Sequence, residues 1–505
     1  MKSNIKIIKL ALIVVIVSAG YYACKHSQLD LFPHGPTEES YFKEESEFNK
    51  AVLGVYAKIN DVLWYRGNPF SCDMPIYLLP GDDITTNEGG EEFEIFGNLQ
   101  PSSDRVSNFY AVWYQVVARA NVILEKIREE DGVYQTPNLK NSHKGEALFL
   151  RGYAFYTLWN YFGTSPLDTA RVKSPDQFTP PGTTGTQLLD QAILDFSEAS
   201  TLLPASWGDA DRGRVTKNSA FGMLGKSLVF RGSVNKDAAD YTAAVAAFNN
   251  ISGIKLVDNF SDNFAWDTEN NEESLFEYQA SQAFALDNVW LPNDFDNAVG
   301  NISVFYGFYG LNNDNLWGKS SFYATTKLVD AFPADDPRLD LTLDVDTRAI
   351  RKYVTRDKLN QVGVGSVNNY RMLRYADVLL LKAEAILQSG GSTAEAIDNI
   401  NLVRARARNM VSGGTVPANY ATSETDKATI MNWIMNERLI ELAGEGQRWV
   451  DLRRWAMQGI ITLDNAFFSS NTASTMSFQS PKHLNMPIPN SETDVNPNIT
   501  QNTGY

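Results

Sequence analysis

Leu381-Lys-Ala-Glu-Ala-Ile-Leu-Gln-Ser-Gly-Gly391, followed two residues later by Ala394-Glu-Ala-Ile-Asp-Asn-Ile-Asn-Leu-Val-Arg404, reads as two helices joined by a tight reversal. Apolar residues recur at helical spacing in both halves, and the glycines between them close the first helix and reverse the chain. Small residues sit where two helices must approach closely. The run from Val378 to Leu381, with Ala383 and Ala385, is apolar around most of its circumference, so the first helix is expected to be buried among others.

Outward from this pair the same periodicity dominates the chain. Phe48, Ala51, Val52, Val55, Tyr56 and Ile59 recur at intervals of three and four, as do Leu189, Ala192, Ile193, Phe196, Ala199 and Leu203. Similar stretches run near 106–129, 144–162, 216–232, 238–250, 371–388, 394–408, 428–443 and 447–457. Short Gly, Asn or Pro punctuation separates most of them, which implies antiparallel helix pairs. The fold class read from this pattern is mainly α, and the unit at 381–404 resembles a tetratricopeptide helix pair.

Two regions, 64–103 and about 253–370, break the pattern. They are rich in Gly, Asn, Asp, Pro and aromatics. Loops of this length inside a compact protein usually carry function, and aromatic density argues against disorder. The chain accordingly divides into a helical part over about 24–232, a loop-rich insert over about 253–370 and a second helical part over about 371–505.

With 505 residues, 43% hydrophobic, the chain can bury a large core. Its formal charge of -16 disfavours nucleic acid, whose binding draws on Lys and Arg neutralising phosphates, and gives no drive toward anionic lipid headgroups. Lys2, Lys6 and Lys9 precede an apolar run from Leu10 to Val17 and then Ser18, Ala19 and Gly20, the three regions of a secretory signal over residues 1–23. That run is too short to span a bilayer. Cys24 follows directly, where its placement resembles the lipid-bearing residue of a bacterial lipoprotein. A bridge to Cys72, the other cysteine of the chain, is the competing reading.

Enzyme signatures fail one by one. His26, His34, His143 and His483 are far apart, with no HExxH pair, and no GxSxG elbow is present, so no metal is expected. Gly222-Met-Leu-Gly-Lys-Ser227 has a superficial likeness to a phosphate loop, but Ala220 stands where the loop needs glycine and the stretch continues a helix. Adjacent acids such as Asp82–Asp83 and Asp335–Asp336 are the remaining source of acid-base chemistry, as in a surface glycosidase. Glu384, Arg404, Arg406, Arg408, Glu437, Arg438, Glu441, Arg448, Asp451 and Arg453 crowd the C-terminal half and are read as structural pairs or solvated faces.

Several blocks occur in an order that resembles the SusD/RagB family. They are Glu146-Ala-Leu-Phe-Leu-Arg-Gly-Tyr-Ala-Phe-Tyr-Thr-Leu-Trp-Asn-Tyr-Phe-Gly-Thr-Ser-Pro-Leu, then Phe332-Pro-Ala-Asp-Asp-Pro-Arg, then Arg374-Tyr-Ala-Asp-Val-Leu-Leu-Leu-Lys-Ala-Glu-Ala. Ile400-Asn-Leu-Val-Arg-Ala-Arg-Ala and Glu437-Arg-Leu-Ile-Glu-Leu-Ala-Gly-Glu-Gly-Gln-Arg-Trp-Val-Asp-Leu-Arg-Arg-Trp follow, and the chain closes with Met486-Pro-Ile-Pro, Asn496-Pro and Gln501-Asn-Thr-Gly-Tyr. The resemblance implies a superhelical scaffold of tetratricopeptide-like pairs with a loop-rich ligand face and no catalysis. It also implies a lipid-anchored protein of the cell outer membrane, facing the exterior, that passes glycans to a SusC-like TonB-dependent transporter; a minority of such proteins handle peptides.

A sugar offers C–H patches and a rim of hydroxyls, so its site wants aromatic planes flanked by carboxylates and amides. Within the irregular regions Trp64, Asp82, Asp83, Phe96, Trp290, Tyr309 and Trp317 are the expected ligand-binding residues, with Tyr65, Phe93, Asn293, Asp294 and Tyr306 beside them. The competing reading makes these aromatics anchors of the loops. No cofactor is expected, although Asp294, Asp296, Asn297 and Asp314 supply oxygens of the kind calcium takes.

Overall fold

A computed structural model of the chain describes residues 40–63, 74–86, 91–280, 322–353, 368–469 and 476–505. Ten helices longer than ten residues are present among them. They are α1 Glu45–Lys58, α2 Asp104–Glu129, α3 Leu139–Phe162, α4 Gln187–Leu202, α5 Lys217–Asn235, α6 Ala238–Phe248, α7 Tyr375–Gln388, α8 Thr393–Asn409, α9 Lys427–Glu441 and α10 Arg448–Gln458. Each packs on its neighbours: α1 on α2, α2 on α3, α3 on α4, α4 on α5, α5 on α6, and α7 on α8 and α9. Contacts of α6 with α7 and of α5 with α10 join the two halves.

Local chemistry starts these helices where the periodicity places them. Ser103, Asp426 and Ser392 accept from Val106 N, Thr429 N and Glu395 N, satisfying a first-turn amide of α2, α9 and α8. The helix α3 is buried without interruption from Gly145 to Phe162, so it is the axis around which the N-terminal half packs. The phosphate-loop look-alike lies inside α5, and its glycines have a packing cause. A Cβ at Gly225 would stand 2.4 Å from the Phe248 ring of α6, and one at Gly222 would stand 2.7 Å from Leu373.

Two small antiparallel sheets complete the fold among the described residues. Strand β1 Ile84–Thr86 pairs with β3 Phe322–Ala324, and β2 Ser274–Tyr278 pairs with β4 Tyr370–Arg374. The expectation of helix from 371 is corrected here, since the helix begins at Tyr375. The cause is non-local: Arg374 and Arg371 find Glu273 (2.8 Å) and Glu277 (3.4 Å) on the segment of β2.

Most of the charges read as structural lie inside a buried lattice. Arg338, from the Asp-Pro-Arg turn, binds Asp336 at 2.8 Å, Glu437 at 2.6 Å and Glu441 at 2.9 Å. Arg374 binds Glu273, Glu441 and Glu445, while Arg406 binds Glu273 and Glu441. Lys226, Asp377, Arg438, Asp451, Arg454 and Glu384 form a second chain of pairs. The family-like blocks are therefore scaffold. The C-terminal segment packs back on α3, with Met486 N donating to Tyr161 O at 2.6 Å and Asn502 Nδ2 donating to Phe162 O at 2.8 Å.

Candidate functional site

Helix α1 ends at Lys58, capped by Ile59, shortly before the irregular region that begins at 64; β2 ends at Tyr278, inside the irregular region of about 253–370. Both ends border one cavity of about 400 Å³. Leu53, Tyr56, Ala57 and Ile59 form one wall, the 210–214 turn between α4 and α5 a second, and Phe276 to Gln279 a third. The walls are largely apolar and the rim carries Asp211, Arg212 and Gln279. Leu53 is 43% exposed at this mouth, an apolar side chain left in water where a ligand would cover it.

The walls are held from beneath by the first family-like block. Glu146 of α3 accepts from Arg214 Nε at 2.7 Å and Nη2 at 2.6 Å, and from Tyr56 Oη at 2.9 Å. Tyr56 Oη in turn accepts from Val215 N at 3.0 Å. One buried carboxylate thus fixes the helix wall and the turn wall together. Burial pushes the Glu146 carboxyl above its ordinary value despite the opposing pull of Arg214, so the group is costly to leave unpaired. Arg214 further donates to Asn49 and Asp211 and lies 4.3 Å over the Trp207 ring.

Gly213 sets the third contact. Its φ of +94° favours glycine, and a Cβ there would fall 2.3 Å from the Gln279 amide. Gln279 is pinned by a reciprocal amide pair with Asn270, at 2.8 and 3.0 Å. The site is a preformed concave surface with a fixed rim.

The described residues that the sequence nominated lie elsewhere, and in the interior. Asp82 is fully buried, accepting from Arg448 Nε at 2.5 Å and Nη2 at 3.0 Å and pairing with Lys327. Burial would raise its pKa, but Arg448 and then Lys327 outweigh it and hold the group down to about 2. Asp83 beside it is buried as well, and burial followed by the Asp82 charge pushes it up to about 7. Phe96 is core: it stacks on His483 at 5.3 Å and meets Phe478 edge-on at 5.0 Å, with Trp449 and Phe468 around it. Phe93 is likewise buried. The expectation that Asp82, Asp83 and Phe96 face a ligand is corrected accordingly: ion pairing and aromatic packing draw them inward. Cys24, Trp64, Tyr65, Cys72, Trp290, Asn293, Asp294, Asp296, Asn297, Tyr306, Tyr309, Asp314 and Trp317 lie outside the described residues.

Sequence reasoning passed over Leu53, Arg212, Gly213, Tyr278 and Gln279. A signal for part of the cavity existed in Trp207-Gly-Asp-Ala-Asp-Arg-Gly-Arg214, a run of turn residues closed by two arginines between two helices. Among the described residues no helix is long and apolar enough to cross a membrane, and no group of three or more His, Cys, Asp or Glu is placed to hold a metal.

Comparison with known proteins adds to this geometry. Residues 344–505 match the profile of the SusD family, and residues 82–228 match a profile described as starch-binding associating with outer membrane. A SusD-like protein of Formosa agariphila is 28% identical over 487 residues, covering 87% of this chain and 90% of its own. A laminarin binding SusD-like protein superposes with a TM-score of 0.74 at 24% identity, covering 92% of this chain and 100% of its own. Surface glycan-binding protein A from Bacteroides thetaiotaomicron, in complex with laminarihexaose, gives 0.73 at 19% identity over 90% of this chain and 99% of its own.

Proposed function

The chain belongs to the SusD/RagB family, and from that premise we propose that it captures oligosaccharides at the outer membrane and passes them to a SusC-like TonB-dependent transporter without transforming them. The observation that carries the binding reading is the 400 Å³ cavity on the family scaffold, with apolar walls and a polar rim. Apolar walls suit the C–H faces of a sugar, while Arg212, Asp211 and Gln279 offer donors and acceptors to its hydroxyls. Relatives that bind laminarin and laminarihexaose support the same class of ligand. Trp64, Trp290, Tyr309 and Trp317, the aromatics expected from the sequence, are proposed to add stacking planes.

Binding without turnover is supported by the fate of the adjacent acids. Asp82 is committed to Arg448 and Lys327 and shielded from solvent together with Asp83, so neither faces a glycosidic bond. Attachment is assigned to lipid on Cys24, and the exterior face of the outer membrane is the expected location.

Affinity electrophoresis against laminarin, starch, xylan and other polysaccharides, alongside an oligopeptide library, tests the reading. At least one polysaccharide should retard the protein. Leu53→Glu, Trp290→Ala and Trp317→Ala should each lower that affinity about three- to tenfold while preserving the helical circular-dichroism signal. Release of new reducing ends from the retarding glycan would show catalysis. Retardation by none of the polysaccharides, with capture of peptides, would replace the glycan by an oligopeptide.

A further inference from the structure

Beyond the Arg212–Gly213–Arg214 turn lies a second cavity, of about 210 Å³. It shares that turn, Phe276 and Glu277 with the larger one, so the two adjoin along a common wall. Within that wall Gly213, with no side chain, lets the Gln279 amide lie against the backbone. Arg212 is exposed and lines both cavities, so one guanidinium serves each of them.

The smaller cavity has the makings of a sugar platform. Trp207 lines it, half-buried, with its indole Nε1 donating to Val215 O at 2.8 Å and the Arg214 guanidinium over its ring. The ring is therefore oriented before any ligand arrives, which lowers the ordering cost of stacking on it. Asn218 is also fixed, bonded to Ser252 O at 2.8 Å and from Ser252 N at 3.2 Å. An amide has four hydrogen-bonding positions, so two of them remain for a ligand. The charges around the turn are matched: Arg214 by Glu146 and Asp211, and Arg212 by Asp209. That balance suits a neutral sugar better than a uronate or a sulfated one.

We propose that the Trp207 cavity is a second sugar subsite, continuous with the first across the Gly213 wall, so that the trough holds a run of sugars from a neutral oligosaccharide. This rests on the glycan reading above and specifies it: affinity grows with chain length until both cavities are filled.

Ser206 and Ala205 are exposed and line the smaller cavity only. Ser206→Trp fills it without touching the larger one, and Ala205→Trp repeats the block from the next position should the first variant melt early. Each is titrated calorimetrically with malto-, cello-, laminari- and xylo-oligosaccharides of about two to six sugars, a length that spans two adjoining pockets of this size. The parent should bind one series with rising affinity. The blocked variants should lose about three- to tenfold at the longest member, the worth of one stacked sugar, and bind the disaccharide as the parent does. Unchanged length dependence in both blocked variants overturns the subsite while leaving the glycan reading intact. A parent that binds none of the four series, and is retarded by no polysaccharide, overturns both.

Discussion

Asp83 is a residue whose ionisation the fold opposes near neutral pH. Burial, and then the Asp82 carboxylate, push it up to about 7 from 3.8. The folded chain therefore holds a proton that the unfolded chain has released, and stability from this group falls as pH rises from about 4 through 7. Asp82 acts oppositely: held at about 2, it contributes stability that is lost only as pH falls below 3.8. His143 and His483, both lowered to about 4 chiefly by burial, lose their contribution as pH falls from 6.5 toward 4. These opposing slopes overlap, so a difference between variants is the informative quantity. Asp83→Asn should melt above the parent at pH 8, by at least about 1 kcal/mol in stability, and the gap should close by about pH 4. A gap that does not change with pH would mean that the asparagine acts through packing alone.

Among the elements, α5 shows how a helix can carry glycines for its neighbours. In an open helix position Gly→Ala stabilises by about 1 kcal/mol. At Gly225 the added carbon would meet Phe248 at 2.4 Å, and overpacking of that kind costs about 1–3 kcal/mol. Gly54 of α1 has open space around the same position. Urea unfolding should therefore give opposite signs, with Gly225→Ala destabilised and Gly54→Ala stabilised. Equal signs would show that helix propensity, and not the approach of α6, decides at position 225.

At the scale of the whole molecule, the buried ion lattice clamps distant segments into one body, since Glu273, Arg374, Arg406, Glu441 and Glu445 come from β2's lead-in, β4, α8, α9 and the turn after α9. Among its described residues no helix is long and apolar enough to cross a membrane, and its acidic charge gives no drive toward anionic lipid. Anchorage by acyl chains on Cys24 is the proposal drawn from the sequence. Cys24→Ala should move the protein from the membrane fraction to the soluble one. Retention after a high-salt wash would assign anchorage elsewhere, and co-purification of a large β-rich protein from mild detergent would identify the transporter.

The amino-acid sequence alone specifies the helices and their faces, because a repeat of three and four residues is written locally: Phe48, Val52 and Val55 are buried on α1, as their spacing requires. It also determined the family, through blocks whose charges turned out to be the buried lattice. Pro487 and Pro489 pin an extended C-terminal segment, which returns onto α3. The rest depended on contacts between segments distant in sequence. Tyr370–Arg374 became a strand because β2 supplied its partners about a hundred residues upstream. Asp82, Asp83 and Phe96 went inward because Arg448, Lys327 and His483, all distant in sequence, meet them. The two cavities belong to neither local pattern nor motif: their walls are drawn from α1, the 205–219 segment and β2, and a concavity exists only where segments distant in sequence leave space between them.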